Sequence, residues 1–165
     1  CGVFFVSAEL SRRGWIAMPT IRNTAGVDII ATKEGKTVTI QVKTNSYGQV
    51  KYPMKEGGES VVDEPMYYVF VTLRLESERP DFYIVLSKLV ANYIKETHKH
   101  WETLPPKKRL DVYKGMTPTE IAEKRGKSTF RQFPNYIGGK LFPEFKIENF
   151  KDWRKLEEKA AATFL

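Results

Sequence analysis

An aspartate inside an apolar strand is the feature that most restricts what this chain can become. Asp28 sits in the run Val27-Asp28-Ile29-Ile30-Ala31. A carboxylate there is costly to bury unless it is paired, hydrogen-bonded or bound to a cation. A second strand-like run, residues 37–44, follows after Lys33-Glu34-Gly35-Lys36, a hairpin turn with glycine available for positive φ. Alternation in that run sends Val38, Ile40 and Val42 one way and Thr37, Thr39, Gln41 and Lys43 the other. Gln41 stands thirteen positions after Asp28. A tight hairpin therefore brings a carboxylate, an amide carbonyl and an ammonium to one point of a sheet. Hard cations such as Mg²⁺ take oxygen ligands, few from protein and the remainder from water and phosphate. A lysine beside them can orient or deprotonate a water and offset developing phosphate charge. The bland alternative is a cross-strand Asp28–Lys43 ion pair with Gln41 hydrogen-bonded beside it.

The rest of the chain reads as a frame for that hairpin. Residues 3–13 predict a helix ending before Gly14, and residues 15–20, 26–32 and 37–44 predict three strands. Residues 45–65, rich in Gly, Pro and polar groups, read as an irregular excursion with one helical turn. Strands follow at Tyr67–Leu73 and Phe82–Leu86, and then a helix capped by Ser87 that runs to Thr103 before Pro105-Pro106. Thr117-Pro118-Thr119-Glu120 signals another helix, with Thr as N-cap, Pro at N1 and Glu at N3. Residues 127–147 have no clear period, and 148–161 predict a last helix. This order implies an α/β or α+β domain with a mixed sheet and a helical C-terminal third.

At 165 residues the chain suits one domain that folds without staples. Within it, residues 1–104 are expected to form the core and 105–165 an extension packed on that core. The net charge of +7 favours polyanionic partners. A single cysteine, Cys1, and the lack of an apolar run near ~18 residues lead us to expect a cytoplasmic protein with no membrane span. The chain begins with Cys1 rather than Met, so it is expected to start inside a longer protein.

The pattern Gly26-Val27-Asp28-Ile29-Ile30-Ala31, then Ile40-Gln41-Val42-Lys43-Thr44, resembles the PD-(D/E)XK nuclease superfamily. In layout it is closest to the Holliday junction resolvase-like branch, with a leading helix, a glycine after it and a D…Q-x-K hairpin. The resemblance covers about residues 2–100. It implies a restriction-endonuclease-like αβββαβ core with a mixed sheet, a divalent metal (Mg²⁺ or Mn²⁺), and cleavage of DNA or RNA. Carried over by position, Asp28 ligates metal, Gln41 stands where Glu is usual, Val42 offers its carbonyl, and Lys43 serves the water. A helix glutamate common in that branch falls at Val3; Glu9 on the same helix and Glu59 in the excursion are candidate extra carboxylates.

The expected function is thus a metal-dependent endonuclease, a hydrolase acting on DNA in repair, recombination or defence. Its rivals are a nuclease-fold module that binds nucleic acid without cleaving, and a protein-interaction domain. DNA is the expected partner, and a homodimer is left open. Lys107, Lys108, Arg109, Lys124, Arg125, Lys127 and Arg131 are candidate phosphate contacts, and equally candidates for loop solvation. His98 and His100, at i and i+2 of a helix, face differently and read as surface residues. Trp101 and Trp153 read as core anchors.

Overall fold

The computed structural model describes residues 1–20, 26–46, 51–59, 66–75, 78–105, 111–135 and 137–158. Helix α1 (Gly2–Arg12) leads into strands β1 (Ile16–Pro19), β2 (Ile29–Lys33) and β3 (Lys36–Asn45). Next come β4 (Tyr52–Lys55), a 3-10 turn at Glu56–Glu59, β5 (Met66–Thr72), β6 (Asp81–Leu86) and α2 (Ser87–Thr103). The C-terminal part adds α3 (Pro118–Gly126), β7 (Phe130–Phe133), the short α4 (Gly138–Leu141), and 3-10 turns at Ile147–Phe150 and Trp153–Leu156.

The fold is mixed α/β. Five strands form one sheet in the order β1-β2-β3-β5-β6, with β3 and β5 parallel and the other pairs antiparallel. A parallel pair needs a crossover, and here residues 46–65 provide it. Its described part holds the one helical turn expected there, plus β4, which the sequence did not suggest. The β2–β3 hairpin closes as expected: Lys33 pairs with Lys36, and Glu34 and Gly35 between them take φ of 48° and 77°. Two positive φ angles are the mark of a type I′ turn, whose twist suits the strands it joins.

Each face of the sheet carries its own core. On one side Ile29, Ala31, Val38, Ile40, Val69 and Val71 pack against Val6 and Leu10 of α1, Trp15, and the C-terminal Trp153 and Leu156. On the other, Tyr68, Phe70, Tyr83 and Val85 meet Val90, Tyr93 and Ile94 of α2. Tyr52, Met54 and Phe133 join them there, from a second, two-stranded sheet in which β4 pairs with β7. All seven residues of β5 are buried, as befits a strand covered on both faces. Burial of each such large side chain contributes roughly 1.5–3 kcal/mol.

Two sequence expectations change at their edges, and a third holds in full. Ser87 is the first residue of α2, not its cap; Leu86 holds that place without a side-chain bond. Thr117 and Glu120 do form the full capping box, with Thr117 N–H donating to Glu120 Oε2 at 2.7 Å. The helix predicted over 148–161 is instead two 3-10 turns, with residues 159–165 outside the described part. Asp152 explains the break. Its Oδ1 accepts the Arg154 N–H at 2.9 Å, so a side chain takes over a backbone partner and restarts the turn. Among the described residues no helix is long and apolar enough to cross a membrane.

Candidate active site

Asp28 lies at the mouth of the β2–β3 ladder, one residue before β2 begins. Its N–H donates to the Ile40 carbonyl at 2.9 Å, and its own carbonyl accepts from Thr20 N–H at 2.9 Å. Thr20 Oγ1 also donates to the Val27 carbonyl at 2.5 Å. The aspartate backbone is thus pinned from both neighbouring strands. Its side chain turns into the ladder: Oδ2 accepts the Val42 N–H at 2.7 Å. The carboxylate therefore meets the main chain of Val42, between Gln41 and Lys43. A strand residue's N–H and C=O emerge on the same edge, so the Val42 carbonyl also faces this side of β3.

Gln41 and Lys43 stand beside Tyr68 and Phe70 in the β3–β5 register, so they belong to the face that carries α2 and the small sheet. Asp28, Gln41 and Lys43 are all half-buried. Among the described residues, no ion pair joins Lys43 to Asp28, and the side chains of Gln41 and Lys43 make no hydrogen bond. The cross-strand ion pair that competed with the metal reading does not form. What holds Asp28 is a backbone N–H, which leaves its Oδ1 unengaged.

The remaining sequence candidates fall elsewhere. Glu9 is buried, and its two oxygens are taken by Arg12 at 3.1 Å, Arg13 at 2.8 Å and Arg79. It fastens α1 to the loop before β6 and has no oxygen to spare for a cation. Glu59 pairs with Arg131 on the inner side of β7. Arg131 is buried, donating also to the carbonyls of Ser128 at 2.6 Å and Phe130 at 3.1 Å. Arg125 is buried too. It caps the end of α2 through the carbonyls of Trp101 at 2.6 Å and Leu104 at 2.5 Å, and stacks on Trp101 and Tyr113. Neither arginine presents its guanidinium on an open surface, so both are corrected from phosphate contacts to structural clamps. Lys124 and Lys127 are exposed; Lys124 donates to the Val112 carbonyl, and Lys127 pairs with Glu123. Lys107, Lys108 and Arg109 lie outside the described residues.

His98 departs from the surface position expected of it. Its side chain is buried against Trp101, and Nε2 lies 3.2 Å from Glu102 Oε1 without hydrogen-bond geometry. Trp153 is a core anchor as expected, whereas Trp101 is only half-buried.

Among the described residues no three His, Cys, Asp or Glu side chains gather where they could hold a metal ion. The oxygens that Asp28, Gln41 and Val42 can offer are one carboxylate, one amide and one backbone carbonyl. That set suits a hard divalent cation that keeps most of its water or borrows phosphate oxygens; it lacks the thiolates and imidazoles that zinc favours.

No family model matches the chain, and no curated protein matches it. Among solved structures it is similar to that of a bacterial homing endonuclease, I-Ssp6803I, at 18% identity and a TM-score of 0.39. The match covers 56% of this chain and 64% of that enzyme's chain, so the chain spans less than two thirds of it.

Proposed function

We propose that this protein is a metal-dependent nuclease that hydrolyses phosphodiester bonds in DNA, of the PD-(D/E)XK kind with a Q-x-K variant. One observation carries the reading: the Asp28 carboxylate is fixed at 2.7 Å on the Val42 amide, between Gln41 and a Lys43 that has no anionic partner among the described residues. A lysine half-buried beside a carboxylate would ordinarily pair with it, and one that does not is free to serve a substrate. Asp28, with the Gln41 amide and the Val42 carbonyl, would hold Mg²⁺ or Mn²⁺, which supplies Lewis acidity to the phosphate when bound. Lys43 orients the attacking water and offsets charge developing on the phosphoryl oxygens. In the overall reaction water adds its oxygen to phosphorus, one P–O ester bond breaks, and the departing sugar oxygen takes up the proton that water gives up.

The test is cleavage of single-stranded, duplex and branched DNA with Mg²⁺ or Mn²⁺. Asp28→Asn and Lys43→Ala should each lower the rate by at least about a hundredfold, the scale on which single electrostatic catalytic groups act, while thermal unfolding stays near that of wild type. Cleavage by purified Asp28→Asn protein at the wild-type rate would move the site elsewhere. DNA binding without cleavage in any metal would favour the second reading, a binding module, which the single carboxylate at the site also supports.

A further inference from the structure

The small β4–β7 sheet shows a regular division of its side chains. Along β4 and the residue before it, Tyr52 and Met54 are buried while Lys51, Pro53 and Lys55 are exposed. Along β7, Arg131 and Phe133 are buried, Phe130 is 60% exposed and Gln132 is half-buried. The register sets Lys55 beside Phe130 and Pro53 beside Gln132. Since side chains alternate along a strand, one face of this two-stranded ribbon is anchored and the other turned outward. The anchors are strong. Tyr52 shares a 2.6 Å hydrogen bond with Thr72 at the end of β5, and Arg131 pairs with Glu59. The outward face carries two lysines whose ammonium groups have no partner among the described residues, an amide and an exposed aromatic ring.

We infer that this outward face is a DNA-reading element that enters the major groove of a duplex. The inference rests on the nuclease reading for its partner and adds where that partner sits. Charge complementarity favours a polyanion, because Lys51 and Lys55 flank the ribbon face in a chain of net charge +7 and pair with no carboxylate among the described residues. The shape favours a duplex, because a two-stranded ribbon fits a major groove about 12 Å wide. The centre of the face carries the groups that read base edges: an amide of the type that pairs with adenine, and an apolar ring of the type that packs on a thymine methyl. Continuity favours this duplex as the substrate. Strand β4 follows β3, which carries Gln41 and Lys43, and the ribbon packs on that same face of the main sheet.

The test is anisotropy of a labelled duplex over a salt series in EDTA, where binding is read without cleavage. Each phosphate contact contributes about −0.9 to the slope of log K against log[salt]. A Lys51→Ala/Lys55→Ala double variant should therefore show a slope shallower by about 1.8, and at least about tenfold weaker binding at moderate salt. Lys114→Ala/Lys146→Ala, which removes two exposed lysines elsewhere, should leave the slope unchanged. Gln132→Ala should keep the slope but lose preference among duplexes of different sequence. If the Lys51/Lys55 double variant keeps the wild-type slope, the ribbon is not the DNA face, and the nuclease reading is untouched. If the slope falls while no metal supports cleavage, the ribbon stands and the nuclease reading fails. A wild-type protein that binds single strands but not duplex, or no nucleic acid at low salt, overturns the groove assignment.

Discussion

At the scale of single residues, Gln41 separates this chain from the usual pattern of its resemblance. A glutamine carbonyl can ligate a hard cation but brings no charge, so at the proposed metal site Asp28 alone would supply the anion. Metal binding by the free protein should therefore be weak, with substrate phosphate needed to complete the shell. Gln41→Glu restores a second carboxylate with almost the same shape. We expect Mn²⁺ to raise the melting temperature of Gln41→Glu clearly more than that of wild type. Without a cation site, the new carboxylate would merely crowd Asp28 and cost stability, because like charges this close resist ionisation together. Equal Mn²⁺ shifts in the two proteins would therefore remove the metal from the account. The sequence made Asp28 conspicuous through its apolar neighbours, and it placed Gln41 and Lys43 together by strand alternation. It could not show that the carboxylate would be spent on the Val42 N–H, since that depends on where β2 begins. Nor could it show that Glu9 would be taken by three arginines, one of them from the distant loop before β6.

At the scale of elements, Gly138 shows how closely the C-terminal part is fitted. A Cβ built there would stand 1.6 Å from the Tyr93 hydroxyl, whereas one at the neighbouring Gly139 meets nothing within 4 Å. Tyr93 has little room to yield, with ring centroids of Phe133 at 5.0 Å, Phe142 at 5.3 Å and Phe145 at 4.8 Å. Gly138→Ala should cost about 2–3 kcal/mol in a urea titration, the upper range for overpacking. Gly139→Ala should lie within about 1 kcal/mol of wild type. Comparable losses in both would mean that the close packing of Tyr93 on Gly138 is not what makes the site intolerant. The elements most legible in the sequence were those with a long period or a specific terminus: α1, the β2–β3 hairpin, β5, β6, α2 and the capped α3. The small sheet was hidden because its strands have four residues each, one of them contains Pro53, and their partners are far apart in the chain. Short pieces like these gain their structure from tertiary pairing, which local patterning does not record.

At the scale of the whole molecule, a buried histidine ties stability to pH. His98 lies on α2, and burial is the main reason its pKa falls below the ordinary 6.5. Arg131 on β7 pushes it down further, while Glu102 on α2 and Glu59 in the 3-10 turn pull it upward. Below that ordinary value the unfolded chain takes up a proton that the folded protein refuses. Stability is therefore full above about pH 6.5 and declines as pH falls toward the lowered value. Asp152, held to about 2 by Arg154, keeps its charge throughout this window. Melting temperatures taken between about pH 7.5 and about pH 5 should fall less for His98→Gln than for wild type. Parallel curves for the two proteins would assign the acid sensitivity to other groups.

The pairing of β4 with β7 also sets an order of assembly. The two strands come from opposite halves of the chain, so the ribbon cannot close until Phe130–Phe133 has been made and brought back across the molecule. The hairpin that holds Asp28, Gln41 and Lys43 is local and can form early, because short loops close at little entropic cost. During synthesis the hairpin would thus be in place before the ribbon proposed to meet a duplex. A fragment ending before Phe130 would keep the residues of that hairpin but lack the ribbon and the Phe133, Trp153 and Leu156 side chains that complete the two cores.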